Sequence, residues 1–281
     1  MHTLLKIIPF LLVSTIFNFC LAEDDKKIIE AMPVQLQVKP TKKHKVLVYS
    51  HASGFKHSSI PTGAKALRIM AEKTGLFQAT FTIKPDEFTQ KGLAKYDMII
   101  FNNCTHVQKA FTEDSQRKAI LRFIENGKAF VGFHSASDGG IPQWKEYTDM
   151  IGGCFAGHPW NAGGEWPFFV GDSNHPVNFA FKKNEFKFSD EIYQYKEYDR
   201  SKLRVLIGLD AVKSGKKGNS KTNDYPVSWV RSYGKGRVFY SNFGHNKATW
   251  WTPFMLQHFL DGIQWALGDL DGATTSIPLS E

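Results

Sequence analysis

The sequence predicts a single α/β domain built on a doubly wound, mostly parallel sheet. Three observations carry this. The runs "HKVLVYS", "YDMIIFNN" and "KAFVGFH" are nearly continuous in apolar residues, as strands covered on both faces are. Segments of helical period separate them, so the first half reads βαβαβ. With 281 residues, of which 42% are hydrophobic, the chain can bury one core of ordinary size, and no repeat or second domain interrupts it.

Taken in order, residues 1–22 read as a signal peptide. His2 and Lys6 precede "IIPFLLVSTIFNFCLA", an apolar run too short and one-sided for a membrane span, and Cys20-Leu21-Ala22 supplies a cleavage region. Cleavage near Ala22 predicts export to the periplasm or the medium, with an uncleaved signal anchor as the alternative. "FNFC" lacks the small residues that precede a lipoprotein cysteine. Residues 23–43 form a linker or outer arm, residues 44–268 the domain, and residues 269–281 a C-terminal tail.

Within the domain, a strand ends at Ser50. The helix "IPTGAKALRIMAEKTG" follows, with Ala64, Leu67, Met70 and Ala71 at helical spacing and Gly75 as its stop. "FQATFTI" and "YDMIIFNN" are the next strands. "FTEDSQRKAILRFIENG" is a helix with Thr112 as the expected N-cap and Gly127 as the stop. "KAFVGFH" is the fourth strand. In the less regular second half, "RVLIGLD" is a strand, and "PVSWVRSYGKGRVFYSNF" is a pair joined by the hairpin signal Gly-Lys-Gly. "TPFMLQHFLDGIQWALG" closes the domain as an amphipathic helix with Pro253 in its first turn.

The formal net charge is +8, but the lysines are scattered. Lys213, Lys216, Lys217 and Lys221 cluster in a Gly/Ser/Asn-rich stretch that reads as a solvated loop. No nucleic-acid motif accompanies the charge, so no nucleic-acid partner is expected. After cleavage Cys104 and Cys154 remain. Two readings stay open: a disulfide of an exported protein, or two separate buried thiols.

In open α/β sheets, ligands bind outside the carboxyl ends of the strands. Half or more of the ten histidines fall there. His51 and His57 follow the first strand, Asn102, Asn103 and His106 the third, His134 and Ser135 the fourth, and His245 a late strand; His158 lies past a helix in "GCFAGHPW". An imidazole titrates near working pH, so His134 is a candidate general base or metal ligand. Ser135 could be a nucleophile with a histidine base, or a residue that caps or bonds at the turn; the second reading is favoured. Glu191 in "SDEIYQY" and Glu165 in "NAGGEWPFF" are the carboxylates placed to join the site as acid or base. Asn102 and Asn103 could donate to sugar hydroxyls, and Ser135 and Glu165 are counted with them as candidate substrate-binding residues. Trp160, Trp166, Trp250 and Trp251 are many indoles for loops; Trp250 is the candidate sugar-stacking face.

Seven segments occur here in the order of one known family: "GFKHSSI", "VGFHSA", "GGCFAGHP", "HPV", "DEIYQY", "PVSWVRSYGKGRVFYSNFGH" and "HFLDGIQWALG". The chain resembles the ThuA-like (trehalose utilisation) family over residues 44 to 268. The resemblance implies a fold similar to class I glutamine amidotransferases, without their nucleophilic cysteine, whose place His134 takes. It therefore argues against amidotransferase chemistry. It also implies a link to disaccharide use beside oxidoreductases that make keto-sugars, and carries over His57, His134, His158, Glu191 and His245 as the motif positions. An exported chain departs from a cytoplasmic setting and favours an extracytoplasmic glycan fragment over trehalose itself.

The leading expectation is an enzyme acting on a disaccharide, glycoside or keto-sugar. A ketone acidifies its neighbouring C–H, so a His or Glu base could drive isomerisation or β-elimination. The second reading is a zinc-dependent hydrolase or isomerase with two or three histidine ligands, although no HExxH spacing supports it. The third is a carbohydrate-binding protein without catalysis. Substrate, reaction and oligomeric state are not readable from the sequence.

Overall fold

The computed structural model describes residues 23–33 and 35–279; the expected signal peptide, residues 1–22, lies outside the described residues. The strands are β1 (His44–Tyr49), β2 (Phe77–Thr82), β3 (Met98–Asn102), β4 (Ala129–Phe133), β5 (Cys154–Phe155), β6 (Trp166–Val170), β7 (Glu185–Phe188), β8 (Tyr195–Lys196), β9 (Arg204–Leu209), β10 (Pro226–Tyr233) and β11 (Gly236–Ser241). Nine of them form one sheet in the order β2-β1-β3-β4-β11-β10-β9-β6-β7, while β5 and β8 pair separately. The first five in that order are mutually parallel, and the other four alternate. Only β10 and β6 therefore run against the rest, which is the mostly parallel sheet the sequence predicts. The chain leaves β1 toward β2 on one side and returns to β3 on the other, so β1 and β3 bound the crevice where doubly wound folds bind ligands.

The apolar runs have their physical cause in two covered faces. Val46, Val48, Ile100, Val131 and Phe133 point into one core with the helix Ile60–Thr74 and the helix Pro253–Leu267. Leu47, Tyr49, Ile99, Phe101 and Phe130 point the other way, under the helices Asp114–Glu125 and Lys145–Ile151. Side chains alternate along a strand, so burial on both sides demands an unbroken apolar run. Ile100 has no exposure, and truncating it to Ala would cost about 2–5 kcal/mol.

Helix ends follow the sequence with one correction. Gly75 takes a left-handed φ of 65° at the end of Ile60–Thr74, and Pro253 opens the last helix. The N-cap of Asp114–Glu125 is Glu113, not Thr112, whose hydroxyl donates only a long 3.5 Å bond to the Glu113 carboxylate. Pro167 sits inside β6, and β7 is half-exposed and carries Lys187, which explains why these strands lack a clear sequence pattern.

The stretch expected as a linker or arm begins with the helix Glu23–Ala31. Ile28 and Met32 are buried, and Asp25 pairs with Lys65 at 2.8 Å, so this segment is packed against the domain. The C-terminal tail is also tied down. Arg237 donates to the Leu270 carbonyl, Arg204 to that of Thr275 and Arg200 to that of Ile277. Cys104 and Cys154 are separate buried thiols. They donate to the carbonyls of Tyr49 and Gly139, respectively.

Candidate functional site

Five connections bring five of the expected residues together at the carboxyl edge of the sheet. His57 follows β1, His134 follows β4, His245 follows β11, and Glu191 and His158 come from the connections around β5 to β8. The centre is a knot of ligating atoms. His134 Nε2 lies 3.2 Å from His57 Nε2 and 3.3 Å from His245 Nδ1. Glu191 Oε1 lies 3.2 Å from His245 Nδ1 and 3.7 Å from His134 Nε2. These four atoms all lie within 4.8 Å of one another. His158 stands at the rim, half exposed, with Nδ1 3.4 Å from the other Glu191 oxygen.

His134 occupies the turn after a central strand, as expected, and the turn is strained. Its φ is 45°, in the left-handed region that a side chain with a Cβ disfavours, at a cost of about 1–2 kcal/mol. A buried polar network holds it there. Tyr240 donates its hydroxyl proton to the His134 carbonyl at 2.6 Å, and Tyr195 donates to the Tyr240 oxygen at 3.1 Å. The His134 Nδ1–H donates to the Asn242 carbonyl at 2.7 Å. That bond fixes the tautomer and leaves the Nε2 lone pair facing the centre.

Asp190 is the residue that sequence reasoning missed. Its wholly buried carboxylate accepts from the backbone N–H groups of Gly244 (2.7 Å), Asn246 (2.8 Å) and Glu191 (3.0 Å) and from the Thr249 hydroxyl (2.7 Å). It thereby ties Glu191 to both sides of His245. The only sequence signal is the acidic pair in "SDEIYQY".

The electrostatics separate the histidines into two kinds. Burial pushes His57 down to about 4, helped by His245. Burial holds His134 well below the ordinary histidine range, with further lowering by His57 and His245. His245 is also penalised by burial, but the Glu191 carboxylate outweighs this and raises it. For Glu191, burial opposes ionisation, yet the hydrogen bond and charge of His245 bring it below the usual carboxylate range. The knot thus contains two imidazoles pushed toward the neutral form and a His245–Glu191 pair in which each partner favours the other's charged form.

The expected substrate-binding residues fare differently. Trp250 is fully buried, packs on Phe133 and Phe259, and donates to the Gly244 carbonyl at 3.1 Å, so it offers no face for stacking. Asn102 and Asn103 are buried as well. Their amides donate to Ser50 Oγ and the Ile60 carbonyl, and to Ser59 Oγ and the Gly244 carbonyl, which makes them braces of the loops and leaves no donor free for a sugar. Ser135 is buried with its hydroxyl 3.5 Å from His57 Nδ1, behind the ring whose other nitrogen faces the centre. Glu165 is exposed on the Asn161–Trp166 loop and does not join the knot.

A hollow of about 620 Å³ lies between the segments Gln90–Leu93 and Asp114–Glu125, lined by Leu93, Ala119 and Phe123. None of the five clustered residues lines it. The site is recognised by convergent chemistry and not by the size of a cavity.

The comparison with protein families decides the assignment. The family model "ThuA: Trehalose utilisation" matches residues 45–266. The chain belongs to the ThuA family. Among solved structures, a ThuA-like protein from Bacteroides uniformis shares 22% identity at a TM-score of 0.64, over 83% of this chain and 95% of that one. A ThuA-like protein from Parabacteroides merdae shares 17% at 0.59, over 84% and 94%. The cytoplasmic protein STM3548 from Salmonella typhimurium shares 12% at 0.53, over 79% and 98%. At these identities the likeness is one of fold, that of the class I glutamine amidotransferase type. No curated protein matches the chain. In this ThuA chain the strained turn presents His134, and the cysteine that would serve amidotransfer is not there.

Proposed function

We propose that this ThuA protein is a metal-dependent enzyme acting on a sugar or keto-sugar, with a divalent cation, zinc foremost, held by His57, His134, His245 and Glu191. One observation carries the reading: three imidazole nitrogens and one carboxylate oxygen converge within 4.8 Å, and each can offer a lone pair to a cation once any proton it carries is released. Tetrahedral zinc with bonds of about 2.0–2.2 Å holds its ligand atoms roughly 3.3–3.5 Å apart. Ligands across a six-coordinate ion stand about 4.2 Å apart. Four of the six spacings, 3.2, 3.3, 3.2 and 3.7 Å, lie within about 0.2 Å of the tetrahedral values, and all six lie within 4.8 Å. The family description points to sugar use as the substrate class.

A cation bound there would act as a Lewis acid toward a carbonyl or hydroxyl oxygen. The chain's own groups supply the rest. The Asn242 carbonyl keeps the His134 lone pair inward, and Asp190 fixes the spacing of Glu191 and His245. His158, half exposed at the rim, is positioned to take a proton from the carbon beside a sugar carbonyl. Returning it to the neighbouring carbon gives isomerisation; expulsion of a β-substituent gives elimination. Export, read from residues 1–22, belongs to this proposal and favours a glycan fragment outside the cytoplasm. No helix among the described residues is long and apolar enough to cross a membrane.

A second reading, acid–base chemistry without a metal, has one observation in its favour. The protons can be assigned with no ion: His57 Nε2–H to His134 Nε2, and His245 Nδ1–H to Glu191. One experiment separates the two. Deuterium wash-in beside the carbonyl of a keto-glycoside is followed by NMR, with zinc-loaded and chelator-treated protein. The metal reading expects exchange only in the loaded form. Equal exchange in both would leave the acid–base reading, and none in either would remove both.

A further inference from the structure

The search for features that the knot leaves unused leads to Phe55. It is 68% exposed, an unusual state for a phenylalanine, and it stands beside the site. Its backbone is well held. The Ser53 N–H donates to the Thr105 carbonyl at 3.0 Å and the Gly54 N–H to Thr105 Oγ1 at 3.1 Å, while that hydroxyl donates to the Phe55 carbonyl at 3.0 Å. Gly54 lies so close to the His106 ring that a Cβ there would stand 2.3 Å from it. The loop is thus braced on both sides, and Phe55 is exposed on a fixed platform.

Phe55 meets His57 edge-on, with ring centroids 4.9 Å apart. Its free surface therefore begins one ring away from the converging nitrogens. A second aromatic ends the chain of contacts on the Glu191 side, where Phe155 stacks on His158 with centroids 5.9 Å apart and planes 19° from parallel. Between these rings stand the imidazoles of His57, His134, His245 and His158 and the Glu191 carboxylate, with the Tyr193 ring packed against His134 and Phe155. A polar centre with an aromatic surface at its margin suits a carbohydrate, whose hydroxyls seek polar groups and whose C–H faces seek aromatic ones.

We infer that Phe55 forms the stacking surface of a second sugar subsite, so that the site receives two linked rings, one at the histidines and the next on Phe55. This rests on the proposal that the site handles sugars, and it names the residue that would receive the second ring of a disaccharide or longer glycan. A single sugar at the histidines would leave the Phe55 face in water.

Phe55 is exposed and outside the metal knot, so Phe55→Ala will fold and keep its metal. Saturation-transfer NMR and titration calorimetry on the zinc-treated full chain, with trehalose, cellobiose and glucose as probes, test the inference. A disaccharide is expected to bind the unmodified protein with saturation transfer to both rings. Phe55→Ala should weaken it about tenfold, as loss of a stacking contact does, and change glucose binding less than twofold. Phe55→Tyr should restore the affinity. Equal disaccharide affinity in Phe55→Ala, or no disaccharide binding to the unmodified protein, overturns the inference. Metal content is measured on the same samples. Protein that takes up no zinc yet binds the disaccharide through Phe55 would remove the metal proposal and keep this one.

Discussion

Two groups of buried histidines can be compared in this molecule. His57 and His134 lie at the carboxyl edge of the sheet; His258 lies on the buried face of the closing helix, and His175 packs against that helix at Trp265. His57, His175 and His258 are each brought to about 4 by burial, and His134 falls well below its ordinary range for the same reason. The difference is in their partners. His258 donates Nδ1–H to the Val177 carbonyl at 2.9 Å, and its Nε2 meets the Ser228 hydroxyl at 3.0 Å. His175 Nδ1 accepts the Val177 N–H at 3.3 Å. Backbone and hydroxyl thus occupy both nitrogens of His258 and Nδ1 of His175, while the buried His175 Nε2 bonds to no other histidine or carboxylate among the described residues. In the site, ring nitrogens face other ring nitrogens and a carboxylate. A depressed histidine therefore says little about function by itself. Lone pairs that converge on one point, with no backbone group to use them, mark the working set.

The comparison breaks hardest at His134. Replacing it with Ala should reduce bound zinc from about one per chain to near none and lower any turnover at least about a thousandfold, by the scale of losing a group at the reacting centre. His258→Ala should leave zinc content unchanged. The His134 ring is wholly buried and bonded to Asn242, so the Ala variant will also lose about 1–3 kcal/mol of stability. His134→Gln, which can keep the bond to Asn242, guards against reading misfolding as loss of metal. Elemental analysis with thermal melts checks both; a fully zinc-loaded Ala variant would sink the ligand assignment.

The core pair should show itself in acid. Unfolded His258 titrates near 6.5 and the folded residue near 4. Its contribution to stability is complete above 6.5 and is lost as pH falls toward 4, because the unfolded chain takes up a proton that the fold refuses. One proton corresponds to about 1.4 kcal/mol per pH unit, so roughly 2 kcal/mol disappears between pH 6.5 and 5. His258→Gln should flatten the urea midpoint against pH by about that amount, since other groups titrate in both proteins and cancel. Parallel pH profiles for the two proteins would show that His258 titrates alike in the folded and unfolded chain, so that burial does not depress it.

A smaller effect sharpens the site half of the comparison. Asp190 holds the proposed ligands Glu191 and His245 from behind, so on the metal reading Asp190→Asn should weaken zinc about 10–100-fold, as loss of a supporting carboxylate does. Competition with a chromogenic chelator measures this. Unchanged zinc affinity in a folded Asp190→Asn protein would reduce Asp190 to a loop brace.

The legibility of the molecule follows the same division. Strands β1, β3 and β4 and their helices were readable because burial on both faces forces continuous apolar runs. His57, His134 and His245 were readable because strand ends in such a sheet point at one edge. The distances between them were not, since they depend on loops whose course is set by Asp190, Asn242 and Tyr240. Trp250 misled for a physical reason. An indole near a strand end can face solvent or the core, and a neighbour at Gly244 only three dimensions reveal turned it inward. The left-handed φ of His134 left no trace in residue type either, because glycine is the usual marker and histidine stands there.

The smallest expected effect is at Ser135, and it tests whether the site's serine belongs with the working groups or with the packing. Its hydroxyl is buried 3.5 Å from His57 Nδ1, a long contact on the side of the ring away from the knot. A nucleophile needs its oxygen open to substrate, and Ser135 has the imidazole between itself and the centre. The hydroxyl can do no more than bias which His57 nitrogen carries the proton. Ser135→Ala should then cost about 1 kcal/mol, the scale of one modest hydrogen bond, and shift zinc affinity less than about fivefold. Any turnover should stay measurable, and a serine-directed phosphonate should not label the protein. Stoichiometric labelling at Ser135 by mass spectrometry, or loss of turnover in a zinc-replete Ala variant, would move Ser135 into the working set and make His57 its base.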